Sequence, residues 1–279
     1  MRDIPSDQIT RTVKELFLKA CFELGRDVLD AFHKGLEDEE SPVGREVIGR
    51  LLENARLAGE TRIPLCQDTG LGIVFVELGQ DAHVVGGGLR TAIEEGVRQA
   101  YREGHLRKSV CHPLTRANTG DNTPAVIHID VAPGDRVRIT AVPKGGGSEN
   151  MSRVFLLKPA DGWEGIKARV LETVSEAGPN PCPPIIVGVA VGGSFELAAL
   201  EAKKTLLRPL GSPNPDPEAA PLEKELFEAV NDLGVGPMGL GGRVTALGLH
   251  LKIMPCHIAS LPLAVNIQCH SARHEEAVL

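Results

Sequence analysis

Pro179-Asn-Pro-Cys-Pro-Pro-Ile-Ile-Val-Gly-Val-Ala-Val-Gly-Gly-Ser194 decides the fold class. Residues Pro184–Val191 form a short, unbroken apolar run rich in β-branched side chains, bounded by prolines and glycines. Such a run reads as a strand buried on both faces. Gly192-Gly-Ser194 then turns the chain into a helix over Phe195–Lys204. A cysteine, Cys182, stands wrapped in prolines at the entrance to the strand, where a rigid thiol suits a metal.

Outward from that segment, helices and strands alternate irregularly. Ile9, Val13, Leu16, Phe17, Ala20, Leu24 and Val28 recur at helical spacing and predict one amphipathic helix over 7–34, with Cys21 beside its apolar face. A second helix is expected over 42–58, with Ser41 as its cap and Pro42 at its first position. Strands are expected at 72–78, 125–131 and 136–142, and a helix at 88–103. The Ala-Pro-Gly-Asp turn between the second and third strands looks like a hairpin connection. Helices are expected at 149–157, 162–177 and 222–233, and strands at 243–254 and 261–268. The Pro-, Asn- and Asp-rich stretch 208–221 reads as a surface loop or linker, dividing lobes 1–207 and 222–279 of one domain. The class is α+β (mixed α/β), with N-terminal helices packed on mixed sheets and no internal repeat.

Composition removes several classes of function. The chain of 279 residues carries a formal charge of -7 and only 3% aromatic residues, so neither a basic nucleic-acid footprint nor a base-stacking surface is expected. No apolar run is long enough to cross a bilayer, and the N-terminal Met1-Arg-Asp-Ile-Pro-Ser-Asp lacks a signal-peptide core. The expected location is the cytoplasm. There the six cysteines would be thiols or metal ligands rather than disulfides, and none forms a Cys-x-x-Cys pair. A zinc hydrolase is disfavoured for the same want of paired spacing.

Four further segments carry chemistry. Pro64-Leu-Cys-Gln-Asp-Thr-Gly70 can aim a thiol, an amide, a carboxylate and a hydroxyl at one point; its plain alternative is an Asp-Thr-Gly turn that starts a strand. His105-Leu-Arg-Lys108 and Thr115–Pro124 offer cations and amides suited to a carboxylate, or simply a solvated polar loop. Lys144-Gly-Gly-Gly-Ser-Glu-Asn150 leaves backbone N–H groups free to approach an anion, and a helix starting at the serine would add its dipole. Pro255–His270 sets two cysteines and two histidines around a strand.

Taken together, Cys-Gln-Asp-Thr-Gly, Lys-Gly-Gly-Gly-Ser, Cys-Pro-Pro with Gly-Gly-Ser, and His-x-Ala-Ser-Leu-Pro leading to a final cysteine closely resemble the α-type subunit or domain of class I fumarases and the related tartrate dehydratases. The resemblance spans nearly the whole chain. It implies the α-type catalytic domain of iron–sulfur hydro-lyases, with a 4Fe–4S cluster held by Cys66, Cys182 and Cys269 and one iron left open. It makes Cys256 a decoy, since a fourth thiolate would close the cluster. It also implies that Asp68 moves a proton to and from the substrate hydroxyl, that Gln67 lies beside the cluster, and that Arg107 binds a carboxylate. His257 would partner the substrate or Asp68, and Gly146, with Lys144 nearby, would present N–H groups to a small dicarboxylate. Single-chain members continue into a β-type domain with further arginines and the C–H base. The sequence stops at Leu279, so a separate β subunit and a complex such as α2β2 are expected. Reversible hydration of fumarate to malate is the first expectation and dehydration of L(+)-tartrate the second. A non-catalytic iron–sulfur sensor is the alternative of another class. Thr-Gly-Leu after Cys66-Gln-Asp, and the loop Lys108–Arg116, both depart from long-chain fumarases and fit two-subunit members.

Overall fold

The computed structural model describes residues 2–279, so Met1 of the N-terminal reading lies outside the described residues. Along the chain run β1 (Arg2–Pro5), α1 (Ser6–Phe22), α2 (Arg26–Asp38), α3 (Pro42–Thr61), β2 (Leu71–Gly79), β3 (Ala82–Val85), α4 (Leu89–Glu103), β4 (Val126–Ala132) and β5 (Val137–Lys144). There follow α5 (Gly146–Glu149), β6 (Arg153–Leu157), α6 (Gly162–Ala177), β7 (Ile185–Gly193), α7 (Phe195–Thr205), α8 (Ala219–Asn231), β8 (Ala246–Cys256), β9 (Leu261–Gln268) and β10 (Glu275–Val278). The class is α+β, as expected. These elements form two compact units interleaved in sequence: residues 2–24, 55–146 and 273–279, and residues 25–54 and 147–272. Segment 208–221 lies inside the second unit, so it is not the divider that its composition suggested.

The first unit is built on a sheet of order β10-β5-β2-β4. Strand β2 pairs parallel with β4 and antiparallel with β5. The expected β4–β5 hairpin is therefore corrected: β2 lies between them. The turn that joins them caps the end of β2 instead, because Gln80 and Asp81 donate their N–H groups to the carbonyls of Ala132 and Gly134. Helices α1 and α4 cover the sheet through Ile9, Val13, Phe17, Ile93, Val97 and Tyr101, which pack with Val74, Val76 and Ile139. The two helices come close at Gly96, where a Cβ would lie 2.7 Å from the Thr10 carbonyl oxygen. With one tyrosine and no tryptophan in this unit, the core rests on aliphatic side chains, each contributing about 1.5–3 kcal/mol when fully buried.

The predicted single helix over 7–34 is two helices. The chain extends at Glu23, and α2 begins afresh from Gly25, whose carbonyl accepts the N–H groups of Val28 and Leu29. Side-chain periodicity carries through this break and hides it.

The second unit holds a sheet of order β6-β9-β7-β8, with β7 parallel to β8 and antiparallel to β9. Odd-numbered residues of β7 face α6 and α8 through Val170, Val174, Leu226 and Val230; Ala190 faces Ala198 and Ala202 of α7. Residues 153–157 were expected within a helix and form β6. Phe155 and Leu157 pack inward while Val154 and Leu156 are exposed, an alternation that the all-apolar run Val-Phe-Leu-Leu does not reveal. Helix α3 starts as expected: the Ser41 hydroxyl accepts the Gly44 N–H at 3.2 Å. Just before it, the buried carboxylate of Glu39 accepts the N–H groups of Ser41, Arg243 and Val244 at 2.8–2.9 Å. Among the described residues no helix is long and apolar enough to cross a membrane.

Candidate active site

In the first unit the candidate residues gather on the turn that leads into β2. Asp68 bridges it. Its Oδ1 accepts the Gly70 N–H at 3.0 Å, and its Oδ2 accepts the Gly146 N–H at 2.8 Å. The first bond is an Asx-turn, the local reason an Asp-x-Gly sequence folds this way. Gly70 is required at its position: its φ is +75°, and a Cβ there would lie 2.5 Å from the carbonyl carbon and oxygen of Lys144.

The turn's main-chain carbonyls are held by side chains rather than by a ladder. The Arg273 guanidinium donates to the Asp68 carbonyl at 2.8 Å. The Tyr101 hydroxyl lies 2.6 Å from the Thr69 carbonyl and 3.0 Å from that of Gly70. Asn122 adds its amide N–H to the Gly70 carbonyl at 3.2 Å, while its own oxygen receives the Ser109 N–H at 2.6 Å. The buried Thr69 hydroxyl donates to the Arg107 carbonyl at 2.9 Å, which ties the loop bearing Arg107 to the same turn.

Cys66 is half-buried, with its thiol 3.4 Å from the Gln67 side-chain oxygen; Gln67 and Arg107 are exposed. Behind them the environment is apolar. Burial pushes the Cys21 thiol up to about 11 against the opposing effect of Arg273. Burial likewise holds the Tyr101 hydroxyl well above its ordinary value, so it stays a proton donor to the turn.

Lys144 is buried, 1% exposed, as the last residue of β5. The Gly146 N–H, expected to face a substrate, is given to Asp68. The helix that follows begins at Gly146, two residues before the serine, and lasts four residues.

In the second unit the chain after Cys269 meets Cys182 through the backbone. His270 donates its N–H to the Cys182 carbonyl at 3.3 Å, and Cys182 donates its own to the Pro179 carbonyl at 3.0 Å. Cys182 is exposed and held with φ at +56°, a left-handed conformation uncommon for a residue with a side chain. Its backbone is thus held by hydrogen bonds on both sides. Cys269 is half-buried, its thiol 3.8 Å from the Ser271 carbonyl. Within either unit, among the described residues, no three His, Cys, Asp or Glu side chains cluster around one point.

His257 is not brought to these cysteines. It sits exposed in the turn between β8 and β9, its Nδ1 accepting the Ala259 N–H at 3.1 Å. Its neighbour Cys256 pairs with Gly193, at the end of β7 away from Cys182. The eight residues of β9 separate His257 from Cys269, about 25 Å of extended chain. The two halves of the His…Cys motif thus flank a strand. Arg273 was missed by sequence reasoning altogether.

A family model described as Fumarate hydratase (Fumerase) matches residues 10–278. Over 274 residues, 95% of each chain, this chain is 45% identical to a protein of Methanocaldococcus jannaschii named "Putative L(+)-tartrate dehydratase subunit alpha". It is 32% identical over 271 residues, 96% of this chain and 89% of the relative, to the L(+)-tartrate dehydratase subunit alpha of Escherichia coli K12. The protein of that name from Shigella sonnei is similar to the same degree.

Proposed function

The chain belongs to the Fumerase (fumarate hydratase) family of hydro-lyases, and from that premise we propose that it is the α subunit of an L(+)-tartrate dehydratase. The observation that carries the substrate is the 45% identity, over 95% of both chains, to a protein bearing that name. Fumarate hydration, the first expectation from the sequence, stands second; the description of the matching family favours it. Because the named relatives are α subunits, we propose a β subunit as partner in an α2β2 complex. The thiol-rich, disulfide-free chain fits a reducing cytoplasm.

The donor set fits an iron–sulfur cluster. Cys66 and Cys269 are half-buried and Cys182 is exposed, none of the three is in a disulfide, and thiolates are the ligands such clusters take. A 4Fe–4S cluster on these three thiolates would supply a Lewis acid for the departing hydroxyl. The remaining work belongs to the chain's own side chains. Each Asp68 oxygen accepts one N–H and keeps a second acceptor position, so the carboxylate can take or return the proton of a substrate hydroxyl without leaving its bonds. Arg107, exposed on the loop tied to Thr69, offers a planar donor pair to a substrate carboxylate. Gln67 offers an amide beside Cys66. His257, exposed in the turn after β8, is proposed as a partner of the substrate or of Asp68.

The test is an anaerobic assay of the reconstituted α chain with its β subunit, on tartrate and on malate and fumarate side by side. Turnover of tartrate at least tenfold faster supports the reading, and the reverse ratio returns fumarate to first place. Asp68→Ala should abolish turnover and retain iron and sulfide. A variant that binds the cluster and still turns over would remove Asp68 from the chemistry, and a wild-type complex inert on both substrates would favour a sensor.

A further inference from the structure

We propose that Arg273 is a positioning residue that fixes the Asp68 turn from behind, and that strand β10 serves to deliver it there. The inference rests on the role given to Asp68 above.

Arg273 is 2% exposed and among the largest fully buried side chains of the chain. A buried guanidinium is costly to desolvate unless it meets strong acceptors, so its placement is specific. Its Nη2 donates to the Asp68 main-chain carbonyl at 2.8 Å. A Cβ built on Gly145 would lie 3.4 Å from Asp68 Oδ2 and 3.7 Å from Arg273 Nη2, so carboxylate and guanidinium flank the same glycine. The hydrogen bonds from Gly70 and Gly146 reach only the carboxylate of Asp68. The bond from Arg273 adds the peptide plane after Asp68, beside the carbonyls of Thr69 and Gly70 that Tyr101 and Asn122 hold. Backbone and side chain of one residue are then both fixed.

The delivery is legible in the register. Strand β10 pairs antiparallel with β5, Glu275 opposite Ala141 and Val278 opposite Arg138. Continuing that register two residues back brings Arg273 level with Pro143, beside Lys144 and Gly145. The Lys19–Glu275 ion pair, at 2.8 Å, and the mutual backbone bonds of Leu279 and Val137 hold the strand in this register.

The experiment compares Arg273→Ala and Arg273→Lys with wild type, in the full α chain and in the αβ complex. In the full chain without cluster, hydrogen exchange of the Gly70 amide should quicken at least tenfold in Arg273→Ala, with β7–β9 unchanged. In the loaded complex, kcat should fall about 100-fold, the scale of a displacement near 1 Å at a reacting group, with KM within about threefold. Arg273→Lys should recover part of kcat, and guanidinium ion at tens of millimolar should raise kcat of the alanine variant about tenfold. Unchanged exchange at Gly70, or kcat within threefold of wild type without added guanidinium, would overturn the proposal. If the alanine variant does not fold, the lysine variant is read by the same exchange criterion. A wild-type complex inert on every substrate would count against the functional reading alone, and the exchange result would still decide on Arg273.

Discussion

Replacing Gly70 by alanine tests the site's architecture at its tightest point. The new Cβ would meet the Lys144 carbonyl carbon and oxygen at 2.5 Å, where nonbonded contact needs about 3.5 Å, so about 1 Å must open. It must do so at the Leu71–Lys144 pair, the last rung between β2 and β5. The left-handed φ of +75° adds about 1–2 kcal/mol for a residue with a Cβ. Losing one or two hydrogen bonds at the opened rung adds about 1 kcal/mol each. The sum is about 2–4 kcal/mol, which at about 2–4 °C per kcal/mol lowers Tm by about 5–15 °C. The same opening lies between Asp68 and Gly146, so kcat should fall about 100-fold. Gly134→Ala is the control: its φ is +97° with nothing within 4 Å, so it bears only the backbone cost and leaves kcat unchanged. Differential scanning calorimetry and the αβ assay read both variants. If Gly70→Ala melts no lower than Gly134→Ala and keeps kcat within twofold, the account of this turn is wrong.

Other outcomes follow from buried groups away from the turn. Burial raises the Glu39 carboxyl, but the N–H groups of Ser41, Val244, Arg243 and Glu40 outweigh it and lower the group from its ordinary 4.5. A lowered carboxyl gives stability above its unfolded value that is lost as pH falls through the folded one. Glu39→Gln should therefore cost about 3 kcal/mol at pH 7 and progressively less below pH 4.5; a pH-independent cost in urea melts would refute this. Burial, with Arg208 adding to it, lowers His250 from 6.5 to about 3. Its neutral form is the one folded, so stability falls as pH drops below 6.5, by about 2 kcal/mol between pH 7 and pH 5. His250→Leu should lose that acid-sensitive portion, and equal slopes in the two proteins would argue against it. Brief iodoacetamide treatment of the cluster-free chain at pH 8 should label Cys182 and Cys256, which are exposed, and spare the buried Cys21; early mass gain on Cys21 would contradict its placement.

Local signals in the sequence were legible and non-local ones were not. Pro184–Val191 could only be a buried strand, Ser41 and Pro42 announced a helix start, and Asp68-Thr-Gly70 announced a turn, because each is settled within a few residues. The short strands β1, β3 and β10 went unseen, since four residues carry no period and each exists only through its partner. The β4–β5 hairpin failed for a similar reason: turn chemistry says that a chain reverses, not what lies between its arms. Arg273 had no signal at all. A lone arginine in Ser-Ala-Arg-His looks like surface, and only the pairing of β10 with β5 turns it inward. His257 shows the same limit: a motif gives order along the chain, and the eight residues of β9 turn the short His…Cys spacing into a long one.

The interleaving of the two units sets an order of assembly. Every residue of the second unit has been synthesised by Ala272, whereas the first unit still lacks residues 273–279 at that point. A nascent chain paused there would show the unpaired edge of β5, a ready template for another strand. The Asp68 carbonyl would still lack its guanidinium. The Asp68 turn therefore cannot be completed until Arg273 and β10 are available to it. The last strand thus does two things at once: it closes that sheet edge and it completes the hold on Asp68.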